Sequence, residues 1–172
     1  MSDKTYHALF LCTGNSARSI LAEAILNRVG GSRFRGHSAG SHPTGRVHPL
    51  ALELLAERGY DVSKLRSKPW DEFVAPGAPP LDFIFTVCDA AAGEVCPAWP
   101  GHPLTAHWGL ADPAALDASP LQQRQAFRHA YLELERRVAL LTVLPLASID
   151  RMRLRARLDE IGRRSASAPV SA

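Results

Sequence analysis

Cys12 and Arg18 stand six positions apart in the run Cys12-Thr13-Gly14-Asn15-Ser16-Ala17-Arg18-Ser19, a thiol and a guanidinium around a short loop of small and polar residues. Residues 5–11 before it read as a buried strand, and residues 19–29 after it carry apolar side chains at helical spacing, so the loop feeds a helix N-terminus. Backbone N–H groups of such a loop converge on an anion, and the helix dipole adds positive potential there. That field, with a cation nearby, favours a thiolate at Cys12. Arg18 offers a planar fork matched to two oxygens of a tetrahedral oxyanion. The chemistry is nucleophilic attack by Cys12 on an anion held by Arg18 and by the backbone of Thr13, Gly14, Asn15, Ser16, Ala17 and Ser19.

Two further thiols, Cys88 and Cys96, lie eight residues apart across an Ala/Gly-rich segment. Zinc is disfavoured, because no Cys-x2-Cys or paired histidines stand beside them to complete four ligands. Two readings remain, a pair of buried small residues and a redox relay. The relay is the better one, since thiol exchange brings thiols in turn to an attacked sulfur and small residues permit that movement. Asp112 precedes Pro113, where an aspartate most often shapes a turn.

The elements that must position these residues alternate. Strands are expected at 5–11, 34–38, 81–87 and 104–108, with helices at 19–29, 48–58 and 121–144. Such alternation implies an open four-stranded parallel sheet with helices on both faces, an α/β fold. Ligands of open α/β sheets bind beyond the carboxyl ends of the strands. Cys12, Cys88 and Asp112 each follow a strand, so all three fall on one edge.

The length of 172 residues fits one domain with a sizeable core. We divide it into a catalytic domain, 1–145, and a C-terminal helical extension with a disordered tail, 146–172. The net charge of +3 belongs to that extension: residues 147–172 hold six arginines against Asp150, Asp159 and Glu160. The rest of the chain is neutral, which argues against a nucleic-acid groove. Ile149, Leu154, Leu158 and Ile161 give the extension an apolar stripe. No leader or spanning stretch is visible, so a cytoplasmic protein without a membrane partner is expected. Three cysteines in such a chain do not suggest a structural disulfide framework.

The strand, Cys-x5-Arg-Ser and helix together resemble the low-molecular-weight protein tyrosine phosphatase superfamily, over about residues 5–145. Three strings look like its arsenate reductase branch: Cys-Thr-Gly-Asn-Ser-x-Arg-Ser, Cys88-Asp-x-Ala-Ala-Gly-Glu-x-Cys96-Pro and His107-Trp-Gly-x-x-Asp112-Pro-Ala. The resemblance implies attack of Cys12 on arsenate, with Asp112 helping an oxygen leave. Cys88 then attacks the Cys12 sulfur, arsenite leaves, and Cys96 resolves the disulfide. All electrons come from thiols, so no bound cofactor or metal is expected. An external reductant, thioredoxin or glutaredoxin with glutathione, completes the cycle. Asn15 and Ser38 match positions that order the loop in this family. Glu23, Asn15 and Ser38 also match part of a potassium site of some reductases, where Lys68 stands in place of an acidic ligand. The alternative is a phosphatase for phosphotyrosine or small phosphate esters, which uses the same loop but needs no cysteine pair. Such enzymes usually carry an aromatic residue after Asp-Pro, where this chain has Ala114.

Overall fold

The computed structural model describes residues 4–88, 97–115 and 117–163. Four parallel strands, β1 (Tyr6–Cys12), β2 (Phe34–Gly40), β3 (Phe83–Thr86) and β4 (Leu104–His107), form one sheet in the order β2-β1-β3-β4. Four α-helices accompany them: α1 (Arg18–Val29), α2 (Pro49–Glu57), α3 (Pro120–Thr142) and α4 (Arg151–Arg163). Two 3-10 turns, Trp70–Phe73 and Pro113–Ala115, complete the described elements.

Alternation along the strands divides the apolar residues between the two faces. Ala8, Phe10 and Cys12 of β1, with Phe83 and Phe85 of β3, join the main core under α1, α2, α3 and α4. Leu9 and Leu11, with Ala39 and Ile84, form a second cluster closed by Phe73 of the 3-10 turn and by Trp70 and Trp99. Among the described residues, the α-helices pack on the first cluster and the 3-10 turn on the second. Start signals are legible in the helices. Ser119 caps α3 in a capping box with Gln122, and Pro120 occupies its first turn.

Residues 146–161 are built into the same core. Leu146, Leu154, Leu158 and Ile161 belong to it, and the buried Trp108 indole donates to the Leu158 carbonyl at 2.9 Å. Burial of each of those large side chains contributes about 1.5–3 kcal/mol. The arginines of α4 stay exposed. Of the residues after Gly162, expected to be a disordered tail, Arg163 ends α4 and 164–172 lie outside the described residues.

The strand order fixes where a ligand can go. From β1 the chain moves outward to β2, then returns to place β3 on the other side of β1, so the order reverses between β1 and β3. The register pairs Leu11 with Thr86. Cys12 and Cys88 therefore leave adjacent strands at that switch point.

Candidate active site

The loop after β1 is held by its carbonyls. Thr13 O accepts from His42 N at 2.9 Å, Gly14 O from Thr44 N at 3.0 Å and Ser67 Oγ at 3.2 Å, and Ser16 O from His48 N at 2.9 Å. In a planar trans peptide the N–H of the next residue points opposite its carbonyl. The amides of Gly14, Asn15 and Ala17 are therefore turned away from the 42–48 and 67 segments, toward the loop's interior. Asn15 supplies the bend with a left-handed φ of 46°, a conformation asparagine tolerates better than most side chains. It is fully buried, and its amide is used at both ends: Nδ2 donates to Ser19 Oγ at 2.8 Å and Oδ1 accepts from Lys68 N at 2.9 Å. Gly40 is required beside it, because a Cβ there would run into the Thr13 carbonyl and lie 2.9 Å from that of Cys12.

Arg18, the first residue of α1, turns toward the segment after β4. Its Nη1 donates to the Leu110 carbonyl at 2.9 Å and its Nη2 lies 3.5 Å from Asp112 Oδ2. Its buried Nε has no acceptor among the described residues. One N–H of the guanidinium, beside the Nη2 that faces Asp112, is thus left for an anion. Asp112 is partly exposed, and its Oδ1 accepts from Ala114 N at 2.9 Å. The turn-shaping role and the place beside Arg18 are thus both present in one carboxylate.

Cys12 and Cys88 are buried together. Their thiols are within hydrogen-bonding reach, and Cys88 Sγ also lies 3.6 Å from the Thr13 hydroxyl. This changes the acid–base expectation for Cys12. The adjoining Cys88 thiol and burial push its pKa up, outweighing the opposing pull of Arg18 and of the Gly14 amide. Two thiols side by side in a dry site do not both ionise readily, so the resting pocket favours a protonated Cys12. Cys96 lies outside the described residues.

A second buried cluster props the loop from below. Ser38 Oγ donates to Glu23 Oε1, while Lys68 Nζ lies 3.7 Å from the same carboxylate and donates to Arg66 O at 2.9 Å and to Ser38 Oγ at 3.5 Å. Burial pushes Glu23 up and Lys68 down, and each offsets the other's shift. No group of three or more His, Cys, Asp or Glu side chains suited to a metal occurs among the described residues.

Sequence reasoning places Cys12, Arg18, Asn15, Ser38, Cys88 and Asp112, and the structure brings them to one end of the sheet. It misses the 42–48 segment and Ser67, whose donors turn the loop carbonyls outward. Nothing in their residue types announces that role, because it is performed largely by backbone. It also misses Arg137, a buried α3 residue that donates to the Trp108 carbonyl.

A strand, a turn running from Cys12 to Arg18 and a carboxylate beside that arginine together make up the site. The sequence pattern described as low molecular weight phosphotyrosine protein phosphatase matches residues 7–154. The arsenate reductase of Halalkalibacterium halodurans is 36% identical over 129 residues, covering 75% of this chain and 89% of that protein. Among solved structures, the arsenate reductase from Archaeoglobus fulgidus superposes with a TM-score of 0.61 at 32% identity, over 78% of this chain and 98% of that one. The thioredoxin-dependent arsenate reductase of Corynebacterium glutamicum superposes with a TM-score of 0.58 at 28% identity, over 82% of this chain and 62% of that one. With the match running from β1 into α4, the chain belongs to the low-molecular-weight phosphotyrosine protein phosphatase family.

Proposed function

We propose that this protein is an arsenate reductase working through a thiol relay, and the observation that carries the reading is the Cys88 thiol lying against Cys12 inside the anion loop. A hydrolase using Cys12 gains nothing from a second thiol there. An arsenate reductase requires one, since the reaction needs two electrons and a thiol pair supplies them. The names of relatives at 36% and 32% identity point the same way.

Arsenate binds the inward-facing amides of the loop and the unpartnered Nε of Arg18. Cys12 passes its thiol proton to a bound arsenate oxygen as its sulfur attacks arsenic, an S–As bond forms, and one oxygen leaves as water with a further proton from Asp112. Cys88 then attacks the Cys12 sulfur. The S–As bond breaks with its electron pair going to arsenic, which leaves as arsenite, and a Cys12–Cys88 disulfide remains. Cys96 attacks Cys88, frees Cys12 and leaves a Cys88–Cys96 disulfide for an external thiol reductant. Thioredoxin is the first choice, given the thioredoxin-dependent enzyme among the similar structures. Glutaredoxin with glutathione is the second. Such a cycle suits the reducing cytoplasm. Lys68 stands for a cation at Glu23 and Ser38, so the residues present do not fit a potassium ion there.

The test is one exposure of the reduced protein to arsenate without reductant, followed by alkylation and mass spectrometry of the disulfides. Wild type accumulates Cys88–Cys96, Cys96→Ser stops after about one turnover with Cys12–Cys88, and Cys88→Ser makes no arsenite. Three intact thiols in wild type after that exposure overturn the reading.

A further inference from the structure

The segment that carries Asp112 is gripped by two arginines. As β4 ends, Trp108 N donates to Thr86 O at 2.7 Å and Leu110 N to Val87 O at 3.2 Å, which ties the segment to β3. The opposite side is taken by side chains. Arg137 donates through Nη1 to the Trp108 carbonyl and through Nη2 to the Gly109 carbonyl at 3.2 Å, and Arg18 takes the next carbonyl, that of Leu110. Successive carbonyls of an extended strand point to opposite sides. One guanidinium receiving two in succession therefore fixes the place where the chain leaves β4 and turns toward Asp112.

Arg137 is an unexpected residue for a purely packing role. It is 1% exposed on the α3 face that also buries Leu134, Val138 and Leu141, and its charge is balanced by Glu133 at 2.8 Å, one turn earlier. Apolar residues of similar volume commonly serve stability as well as a buried ion pair does. What a guanidinium adds is a rigid fork that sets direction. Resting on the reading of Asp112 as proton donor, we propose that Arg137 is the positioning residue for Asp112: by fixing the Trp108–Gly109 backbone it sets the carboxylate beside Arg18, where the departing oxygen must be protonated.

A double-mutant cycle tests it, using the single-turnover rate of thiol oxidation by arsenate in wild type, Arg137→Lys, Asp112→Asn and their combination. Lysine keeps the charge opposite Glu133 but loses the two-carbonyl grip. Arg137→Lys is expected to slow the maximal rate by about 10- to 100-fold while the half-saturating arsenate concentration stays within about threefold. The combined variant should be no slower than Asp112→Asn alone, because each change removes the same contribution. Should Arg137→Lys not fold, Arg137→Met with Glu133→Leu deletes both buried charges and is expected to give the same rate signature. Additive losses, or a rise in half-saturating arsenate with the maximal rate unchanged, overturn the inference. If Asp112→Asn slows the reaction and neither Arg137 variant does, the positioning role alone falls. If Asp112→Asn leaves the rate unchanged, the proton-donor reading falls and takes this inference with it.

Discussion

The Cys88 thiol adjoins the Cys12 thiol while also lying 3.6 Å from the hydroxyl of Thr13, the residue that follows the nucleophile. The contact follows from topology, since β1 and β3 are neighbours and Leu11 is paired with Thr86. It has two consequences. It puts a second thiol beside the first before any substrate binds, as the proposed relay requires, and it raises the pKa of the first.

Removing that neighbour should release Cys12. Cys88 is the largest of the causes that raise the Cys12 pKa, while Arg18 and the Gly14 amide act to lower it. Cys88→Ala should therefore lower the Cys12 pKa and speed its alkylation by iodoacetamide at neutral pH by about tenfold, one pKa unit being a tenfold change in thiolate fraction. The pH profile of alkylation, followed by peptide mass spectrometry at Cys12, measures it. An unchanged profile would mean that burial alone sets the value.

Arg18 combines a tether to the segment after β4 with an unpartnered Nε. Arg18→Lys preserves the charge but can supply neither the fork nor the same reach to the Leu110 carbonyl. Phosphate, as an unreactive stand-in for arsenate, should bind about 10- to 100-fold more weakly, equivalent to roughly 1–3 kcal/mol. Calorimetric titration is the direct measurement. Equal affinity would place the anion elsewhere.

The strand before Cys12 is legible because Ala8-Leu9-Phe10-Leu11 is an unbroken apolar run, as a strand covered on both faces requires. The loop is legible because glycine, asparagine and serine are types that accept tight turns and left-handed backbone. Arg137 is not. A basic residue in an amphipathic helix reads as solvated, and only the packed structure reveals that α3 turns this one onto the carbonyls of Trp108 and Gly109. The Cys12 pKa is misread for a similar reason: the sequence displays Arg18 and the helix N-terminus, whereas burial and the approach of Cys88 exist only in three dimensions. The role of residues 146–161 likewise depends on Trp108, whose indole needs the Leu158 carbonyl as its acceptor.

Lys68 and Glu23 form a buried pair beneath the loop, with the Lys68 side chain 9% exposed and Glu23 15%. Lys68→Met leaves the carboxylate without a counter-charge and should destabilise the protein by about 3 kcal/mol at neutral pH. Loss of Lys68 raises the folded-state pKa of Glu23 further, so the deficit should widen as pH rises above the ordinary glutamate value of 4.5, where the unfolded carboxylate ionises first. Potassium in place of a bulky monovalent cation at constant ionic strength should restore part of the melting temperature of the variant and none for wild type. A wild-type melting temperature that rises specifically with potassium would show that Lys68 does not fill the cation's place.

His37 of β2 faces His7 of β1, with Nε2 of the former 3.0 Å from Nδ1 of the latter, so a proton is shared between them and a second one is opposed. Burial, then His7, Arg35 and Lys68, lower the His37 pKa to about 4, and burial lowers His7 as well. The unfolded chain takes up these protons near the ordinary histidine value of 6.5. Between the two values the unfolded state binds more protons, so stability is complete above about pH 6.5 and falls as pH drops toward about 4. His37→Asn keeps a hydrogen-bonding partner for His7 but cannot titrate. The loss of stability between neutral and mildly acidic pH should shrink by on the order of 1 kcal/mol in that variant, after allowance for solvent screening of a half-buried pair. Urea unfolding at a series of pH values reads the slope directly, and parallel curves for wild type and variant would assign the acid sensitivity to other groups.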